Sequence, residues 1–272
     1  MQDVSDLSSR DQVDNELGSS AIVALRMLEV VAAHRPDVGV SEVAALLGIP
    51  KARAHRHLTA LKRFHFVTQN GNSRYMIGWR FYCLARQTVK QFGLVELAKP
   101  LMEELRDRVG QTVTISTFLD DEVIVLDFVP GNSTLEIGLR PGSRFKLNWV
   151  AQGKNVLAFG PKEVAERFLG GEMPPCTRAT ITSAEEMRHE LEIVKAQGWA
   201  EAPEEVFLGI NAVAAPIFRS DGRLFGSVAL VGAIHYLPSP PAADVIEALT
   251  STAKRVSEAL GEILFSPGIP EA

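Results

Sequence analysis

Residues 40–77 constrain this chain more than any other stretch: a short helix, a tight turn, a second helix rich in base, and a hairpin. The segment reads Val40-Ser41-Glu42-Val43-Ala44-Ala45-Leu46-Leu47-Gly48-Ile49-Pro50, then Lys51-Ala52-Arg53-Ala54-His55-Arg56-His57-Leu58-Thr59-Ala60-Leu61. Ser41 is the expected N-cap of the first helix, and Gly48 the left-handed residue that ends it. Pro50 fixes the backbone at the start of the second. At 100° per residue, Ala54, Leu58 and Leu61 share a stripe that must face a core. Ala52, Arg56 and Thr59 then point outward, with Arg53 beside them. Residues 66–69 and 74–77 follow as two short strands around an Asn70-Gly71 turn. The expectation for 18–80 is a winged helix-turn-helix. Small residues beside arginine suit the DNA major groove, where Arg53 and Arg56 can read base edges, with Ala52 and Thr59 completing the surface. Lys51, Ser73 and Arg74 are expected to hold phosphate.

A basic helix face taken alone is a solvated surface, and an Asn-Gly hairpin alone is a turn. Charge distribution separates these readings from DNA binding. Residues 18–80 hold nine Lys/Arg against three acids, within a chain whose net charge is −5. Residues 1–17 carry one base and five acids, and the remainder beyond 80 is acidic as well. Positive charge is therefore concentrated in the one segment with a DNA-reading pattern.

At 272 residues and 46% hydrophobic content, two globular domains are expected. The polar, acidic and aperiodic residues 1–17 are expected to form a mobile tail, and they lack the basic start and apolar run of a signal peptide. No uninterrupted apolar stretch approaches the ~18 residues a membrane helix needs, so no membrane partner is expected. Cys83 and Cys176 form neither a disulfide framework nor a zinc spacing, which fits a reducing cytoplasm.

Ser19–Ala33 has helical apolar spacing and supplies the third helix of the DNA-binding core. Residues 79–92 read as a linker helix whose three neighbouring aromatics pack either on their own domain, the commoner case, or on a second subunit; Phe81 and Tyr82 are the candidates for joining two DNA-binding domains. Beyond it, helices are expected over 94–109, 150–159, 184–197 and 243–265. Strands are expected over 112–118, 122–128, 135–139, 211–218 and 224–231, with turns at Asp120-Asp121 and Ser220-Asp221-Gly222. Hairpins with helices gathered around them imply an α+β domain on an antiparallel sheet.

Catalytic patterns fail on spacing. Gly153-Lys154 is no phosphate loop, because Asn148 stands where the leading glycine belongs and Asn155 where Ser or Thr does. Lys154 is expected to be structural or on a rim. Gly226-Ser227-Val228 is not a nucleophile elbow. His189 and His235 lack partners at ligand spacing, and Glu204 and Glu205 are adjacent and so project apart. No enzyme, metal or cofactor is expected. An enzyme or a non-responsive adaptor carrying a winged helix is the alternative reading.

Several motifs resemble the IclR family of bacterial transcription regulators. Ala24-Leu25-Arg26-Met27-Leu28-Glu29 is similar to the family's A-L-R-I-L-E. Pro50-Lys51, Ala54-His55-Arg56 and Leu58 resemble its P-K-S-T-A-x-R-L. Gly142-Ser143-Arg144-Phe145 with Gly153-Lys154 resembles its G-S-R…G-K segment. Glu204-Glu205, Gly209 and 214–218 resemble its late E-E…G…A-A-P-I-F stretch. The resemblance implies a GAF-like effector-binding domain and a homodimer or homotetramer. Repressors are among such proteins, though the sign of regulation depends on where the operator lies. Two-fold symmetry implies a pseudo-palindromic double-stranded operator.

Carrying the family's pocket over position by position gives Ile137, Phe145, Ala151, Gln152, Ala202, Ala212, Ala229 and Val231. Where the family often offers Asp, Cys and two Ser, this chain has Ala202, Ala212, Ala229 and Val231. Ala52-Arg53 replace the usual Ser-Thr of the recognition helix. The effector implied is a weakly polar, aromatic-like catabolite with Gln152 fixing its polar end. The expected organisation is a tail at 1–17, a winged helix-turn-helix at 18–80, a linker helix at 81–95, and an effector-binding and dimerisation domain at 96–265.

Overall fold

The computed structural model describes residues 20–34, 36–84, 94–132 and 139–265, with side chains through 261. The expected tail, most of the linker helix, the strand expected over 135–139 and Ile137 lie outside these residues, except for the edges of the last two segments. The chain divides into two units, residues 1–89 and 90–272.

In the first unit, α1 (Ser20–Ala33), α2 (Val40–Leu46) and α3 (Lys51–Arg63) surround a core of Val23, Met27, Val31, Val43, Ala54, Leu58 and Tyr75. Gly48 is left-handed (φ 64°), and Ile49 N donates to Ala44 O at 3.0 Å across that turn. The cap of α2 differs from expectation. Gly39, not Ser41, is the N-cap, and the Glu42 carboxylate accepts from Gly39 N at 2.8 Å. A side-chain carboxylate replaced the hydroxyl, moving the helix start forward.

The wing pairs β1 (Val67–Gln69) with β2 (Tyr75–Ile77), antiparallel. Val38 adds a bridge to Tyr75, a third contributor that the short run around it did not announce. The turn is not a two-residue Asn-Gly turn. Ser73 takes the left-handed conformation (φ 59°), and Asn70 Oδ1 accepts from the amides of Asn72 and Arg74, both at 3.0 Å. The Asn side chain therefore builds a longer turn on itself.

The second unit is a six-stranded, wholly antiparallel sheet in the order β5-β4-β3-β8-β7-β6. Its strands are β3 (Thr112–Leu119), β4 (Glu122–Val129), β5 (Arg144–Lys146), β6 (Ala200–Glu201), β7 (Ile210–Phe218) and β8 (Leu224–Ala233). Alternation sends Val113, Ile115, Val213, Ala215, Val228 and Leu230 to one face, against α4 (Leu94–Val109) and α8 (Ala243–Phe265). The opposite face meets α5 (Ala151–Phe159), with α6 (Lys162–Leu169) and α7 (Ala184–Gln197) beyond it. The short β5, α6 and β6 were missed in the sequence, because edges of three and two residues and one eight-residue helix leave little periodicity. The α+β class holds.

Small side chains bring α5 onto the sheet. Ala151, Ala200, Ala202, Ala214 and Ala229 form one cluster with Val194. A Cβ at Gly153 would stand 2.1 Å from the Leu147 carbonyl oxygen. Backbone cannot yield as a flexible side chain would. Gly153→Ala is therefore expected to lower unfolding stability by roughly 1–3 kcal/mol, read as a fall in the urea midpoint. An unchanged midpoint would disprove the close approach.

Candidate nucleic-acid interface and effector cleft

Lys51, Ala52, Arg56 and Thr59 all project from α3 into solvent, while Arg53 is half-exposed. Ala54 and Leu58 anchor the opposite side in the core. No acid lies on α3, so this surface is uniformly basic. His57 is half-buried, and burial first, then Arg53 and Arg56, holds its imidazole below the usual range. It is therefore neutral at neutral pH, and the positive field of the face belongs to the arginines and lysine.

The wing presents Ser73 at its exposed tip. Arg74 departs from its expected place on phosphate. Its Nε donates to Asp37 and its Nη2 to Glu42 at 2.8 Å. Its hydrogen bonds to these carboxylates, Asp37 first, hold the guanidinium above its ordinary range. Asn70 Nδ2 also donates to Asp37, at 2.7 Å. Arg74 thus ties the base of the wing to the start of α2, through the same Glu42 that caps that helix. The sequence hid this because Asp37 and Arg74 stand far apart in the chain.

In the second unit, one cleft gathers residues from β4, β7, β8, the start of α5 and the loop at 202–209. Its cavity volume is about 40 Å³, inside a space of about 480 Å³ that includes open solvent at its mouth. Phe145, Gln152, Ala202, Ala212 and Val231 line it, five of the eight positions named from the sequence. Ala151 and Ala229 do not; both are 0% exposed in the alanine cluster beneath α5, where they serve close packing. Val125, Leu139, Trp149, Val150, Val206, Phe207 and Ile210 complete the wall and were not anticipated. Val125 was legible in the alternation of β4, and Trp149 in its place beside the Gln-Gly-Lys step. No Lys, Arg, Asp, Glu or His stands among the described residues of the wall.

Gln152 is the wall's one amide. Its Nε2 donates to Thr114 Oγ1 at 3.3 Å, while Oε1 is buried with no partner among the described residues. Should the amide be turned over, the nitrogen becomes the open group. In either orientation one buried polar atom of Gln152 has no partner among the described residues.

Lys154, two residues further along α5, is structural but not on a rim. It is 1% exposed and bonded to Glu190, Glu205 and the carbonyl of Glu201. Glu204 and Glu205 do project apart: Glu204 accepts from Gly209 N at 2.7 Å, while Glu205 faces Lys154. Among the described residues no group of His, Cys, Asp or Glu could hold a metal, and no helix is long and apolar enough to cross a membrane.

A winged helix-turn-helix with a basic reading helix, carried in one chain with a domain that encloses an apolar cleft, defines a one-component transcription regulator. Comparison with known proteins agrees. Residues 20–71 match the IclR helix-turn-helix domain and residues 86–258 the bacterial transcriptional regulator IclR C-terminal domain. The probable transcriptional regulator SauR of Cupriavidus necator is 28% identical over 220 residues, covering 80% of this chain and 87% of that protein. The DNA-binding transcriptional repressor YiaJ of Escherichia coli is 26% identical, covering 87% and 86%. An IclR regulator from Alicyclobacillus acidocaldarius superposes with a TM-score of 0.78 at 25% identity, over 89% of this chain and 98% of that one. An IclR homologue from Microbacterium hydrocarbonoxydans, solved with 4-hydroxybenzoate, gives 0.79 at 23% identity, over 89% and 99%. The chain belongs to the IclR family of bacterial transcriptional regulators, and it is a DNA-binding regulator rather than an enzyme.

Salt dependence separates the roles of the basic residues. Lys51→Ala is expected to weaken binding to all DNA sequences and flatten the salt slope by about 0.9. Arg56→Ala should cost roughly 1–3 kcal/mol and relax one base position. Arg74→Gln should weaken binding with the slope unchanged, because the wing loses its position rather than a phosphate contact. A flattened slope for Arg74→Gln in fluorescence anisotropy would return Arg74 to the phosphate.

Proposed function

We propose that this regulator reads a pseudo-palindromic operator as a homodimer and that a weakly polar, aromatic-sized molecule in the cleft controls that binding. Lys51, Ser73, Arg53 and Arg56 supply the DNA contacts, with Ala52 and Thr59 letting α3 seat closely. Repression is the expected sign, by analogy with relatives named as repressors, including YiaJ and IclR of Escherichia coli.

The observation that carries the effector reading is the composition of the cleft wall: apolar side chains and one amide with an unpartnered polar atom. A small, highly charged oxoacid would lie there without a cation, and burying unpaired charge costs several kcal/mol. A ring fills the apolar wall and leaves one polar group for Gln152. The 4-hydroxybenzoate in the Microbacterium homologue has this chemistry, which is in keeping with the reading.

Thermal shift with a panel of aromatic acids and two-carbon oxoacids tests it. A ligand at 100 times its dissociation constant stabilises by roughly 2.7 kcal/mol. Stabilisation is expected from aromatic members, and Ala212→Phe, which fills the wall, should remove it while leaving DNA binding intact. Stabilisation by the oxoacids alone would overturn the reading.

For the dimer, Phe81 is redirected: it packs edge-on to Phe66 at 5.3 Å, on its own domain. Trp79 and Tyr82 stay exposed at 78% and 58%, in edge contact at 5.7 Å. This pair is the proposed contact between DNA-binding domains. Trp79→Ser/Tyr82→Ser is expected to weaken operator binding without loss of fold, and light scattering of the unaltered chain should give at least a dimer at micromolar concentration. A monomer there would defeat the proposal.

A further inference from the structure

The loop between β6 and β7 forms part of the cleft wall and is seated on a buried charge cluster. Its neck is closed by Ala202 N donating to Ala212 O and Glu204 N to Ile210 O, both at 2.8 Å. Glu204 (φ 58°) and Gly209 (φ 79°) are both left-handed, and the Glu204 carboxylate accepts from Gly209 N. The tip places Val206 and Phe207 on the wall, with Phe207 half open to solvent. Thr177 and Thr180 hydroxyls donate to the carbonyls of Glu204 and Glu205, each at 2.7 Å.

The remaining tie is Glu205, itself 3% exposed. Lys154 Nζ donates to Glu205 Oε1 at 2.7 Å, to Glu190 Oε1 at 2.9 Å and to Glu201 O at 2.7 Å, which uses all three ammonium protons. Glu205 Oε2 and Glu201 Oε2 are buried without a partner among the described residues. The charged groups acting on Glu205 are therefore Lys154 from α5, Glu190 from α7 and Glu201 from β6, with neutral Thr177 and Thr180 facing its backbone. Two carboxyl groups and one backbone carbonyl contact the one ammonium, and the Glu201 carboxyl, which accepts from Ser239 Oγ at 3.1 Å, adds a third acid nearby. An excess of buried negative charge is relieved by taking up a proton.

We propose that Glu205 is a positioning residue of the effector cleft: seated on Lys154, it holds Val206 and Phe207 in the wall, and closing this loop takes up one proton at its carboxyl. The inference rests on the cleft being the effector site and concerns how that site closes. Burial pushes the Glu205 carboxyl up to about 7; Lys154 opposes the rise, and Glu190 and Glu201 add to it. In an opened loop the carboxyl is hydrated and returns to the ordinary carboxylate range. Closure is thus fully supported below that range and loses support as pH rises through about 7.

Hydrogen exchange on the full chain without ligand tests this at Gly209 and Ile210, whose amides are bonded within the loop. Their protection factors are expected to fall by up to tenfold per pH unit from the ordinary carboxylate range up to about pH 7, and to be level above it. Glu205→Gln should make the profile flat. Glu190→Gln should move the bend to lower pH, because it removes a negative neighbour; a purely structural contact would not shift. If Glu205→Gln does not fold, the Glu190→Gln shift decides alone. A flat profile in the unaltered chain, or a bend that neither substitution moves, overturns the proposal. Calorimetry with 4-hydroxybenzoate at the same pH values should show affinity falling as pH rises towards the bend and level above it, with proton uptake on binding confined to pH below the bend. If that probe does not bind while the exchange profile bends and shifts as stated, the loop inference stands and the ligand class falls.

Discussion

The second domain depends on a helix that is buried on nearly every side. Residues 151–157 of α5 are all buried, although Gln152, Lys154 and Asn155 are among them. Side chains of this kind cost several kcal/mol to bury unless each finds a partner inside the protein. The partners come from separate elements: Thr114 on β3, Ser227 on β8, Glu190 on α7 and Glu205 on the loop before β7. Seating α5 therefore fixes the mutual position of all of them. It also places Gln152 at the cleft and Lys154 behind it, one helix serving wall and foundation together.

A different polar device shapes the first domain, where little can be buried. Three short helices leave the wing with two three-residue strands, too few ladder bonds to hold a hairpin at a fixed angle. Asp37 supplies the missing restraint by accepting from both Arg74 and Asn70, and Glu42 links Arg74 to the cap of α2. The Asp37 contacts are part-buried and the Glu42 contacts exposed, so each contributes modestly alone, and the network matters through geometry. Acidic groups are thereby neutralised at the wing's base, leaving the α3 face and the wing tip free of negative charge that would repel phosphate.

Much of this was legible in the sequence wherever the cause is local. Gly48 announced a left-handed turn, the apolar spacing of 243–265 a helix, and the alternation of 112–118 and 122–128 a hairpin, all found within a residue or so. Failures share a cause: contacts between residues distant in the chain. Arg74 read as a phosphate contact because Asp37 is not a sequence neighbour, and Phe81 as a candidate for joining two DNA-binding domains because Phe66 is not. Lys154 read as structural or rim, and the sequence could not choose, since nothing in Gln152-Gly153-Lys154 announces the carboxylates that let it be buried. At the cleft, side-chain size was readable but direction was not. Ala229 and Ala212 are equally small, yet one packs beneath α5 and the other faces the open space.

On the proposed reading of the cleft as the effector site, its selectivity follows from where a ligand can leave its charge. An aromatic ring removes roughly 150 Å² from water, which at about 25 cal/mol per Å² amounts to about 4 kcal/mol. One hydrogen bond to Gln152 adds about 1 kcal/mol. A two-carbon oxoacid brings little apolar area, and its carboxylate must enter with it into a wall that offers no cation among the described residues. An aromatic acid is long enough to bury its ring and keep its carboxylate hydrated at the mouth. The desolvation penalty is several kcal/mol for the small acid and largely avoided by the longer one. Length, more than any single contact, decides between them: replacing polar side chains by alanine and valine deepens the apolar space and removes the partners that a short anion would need.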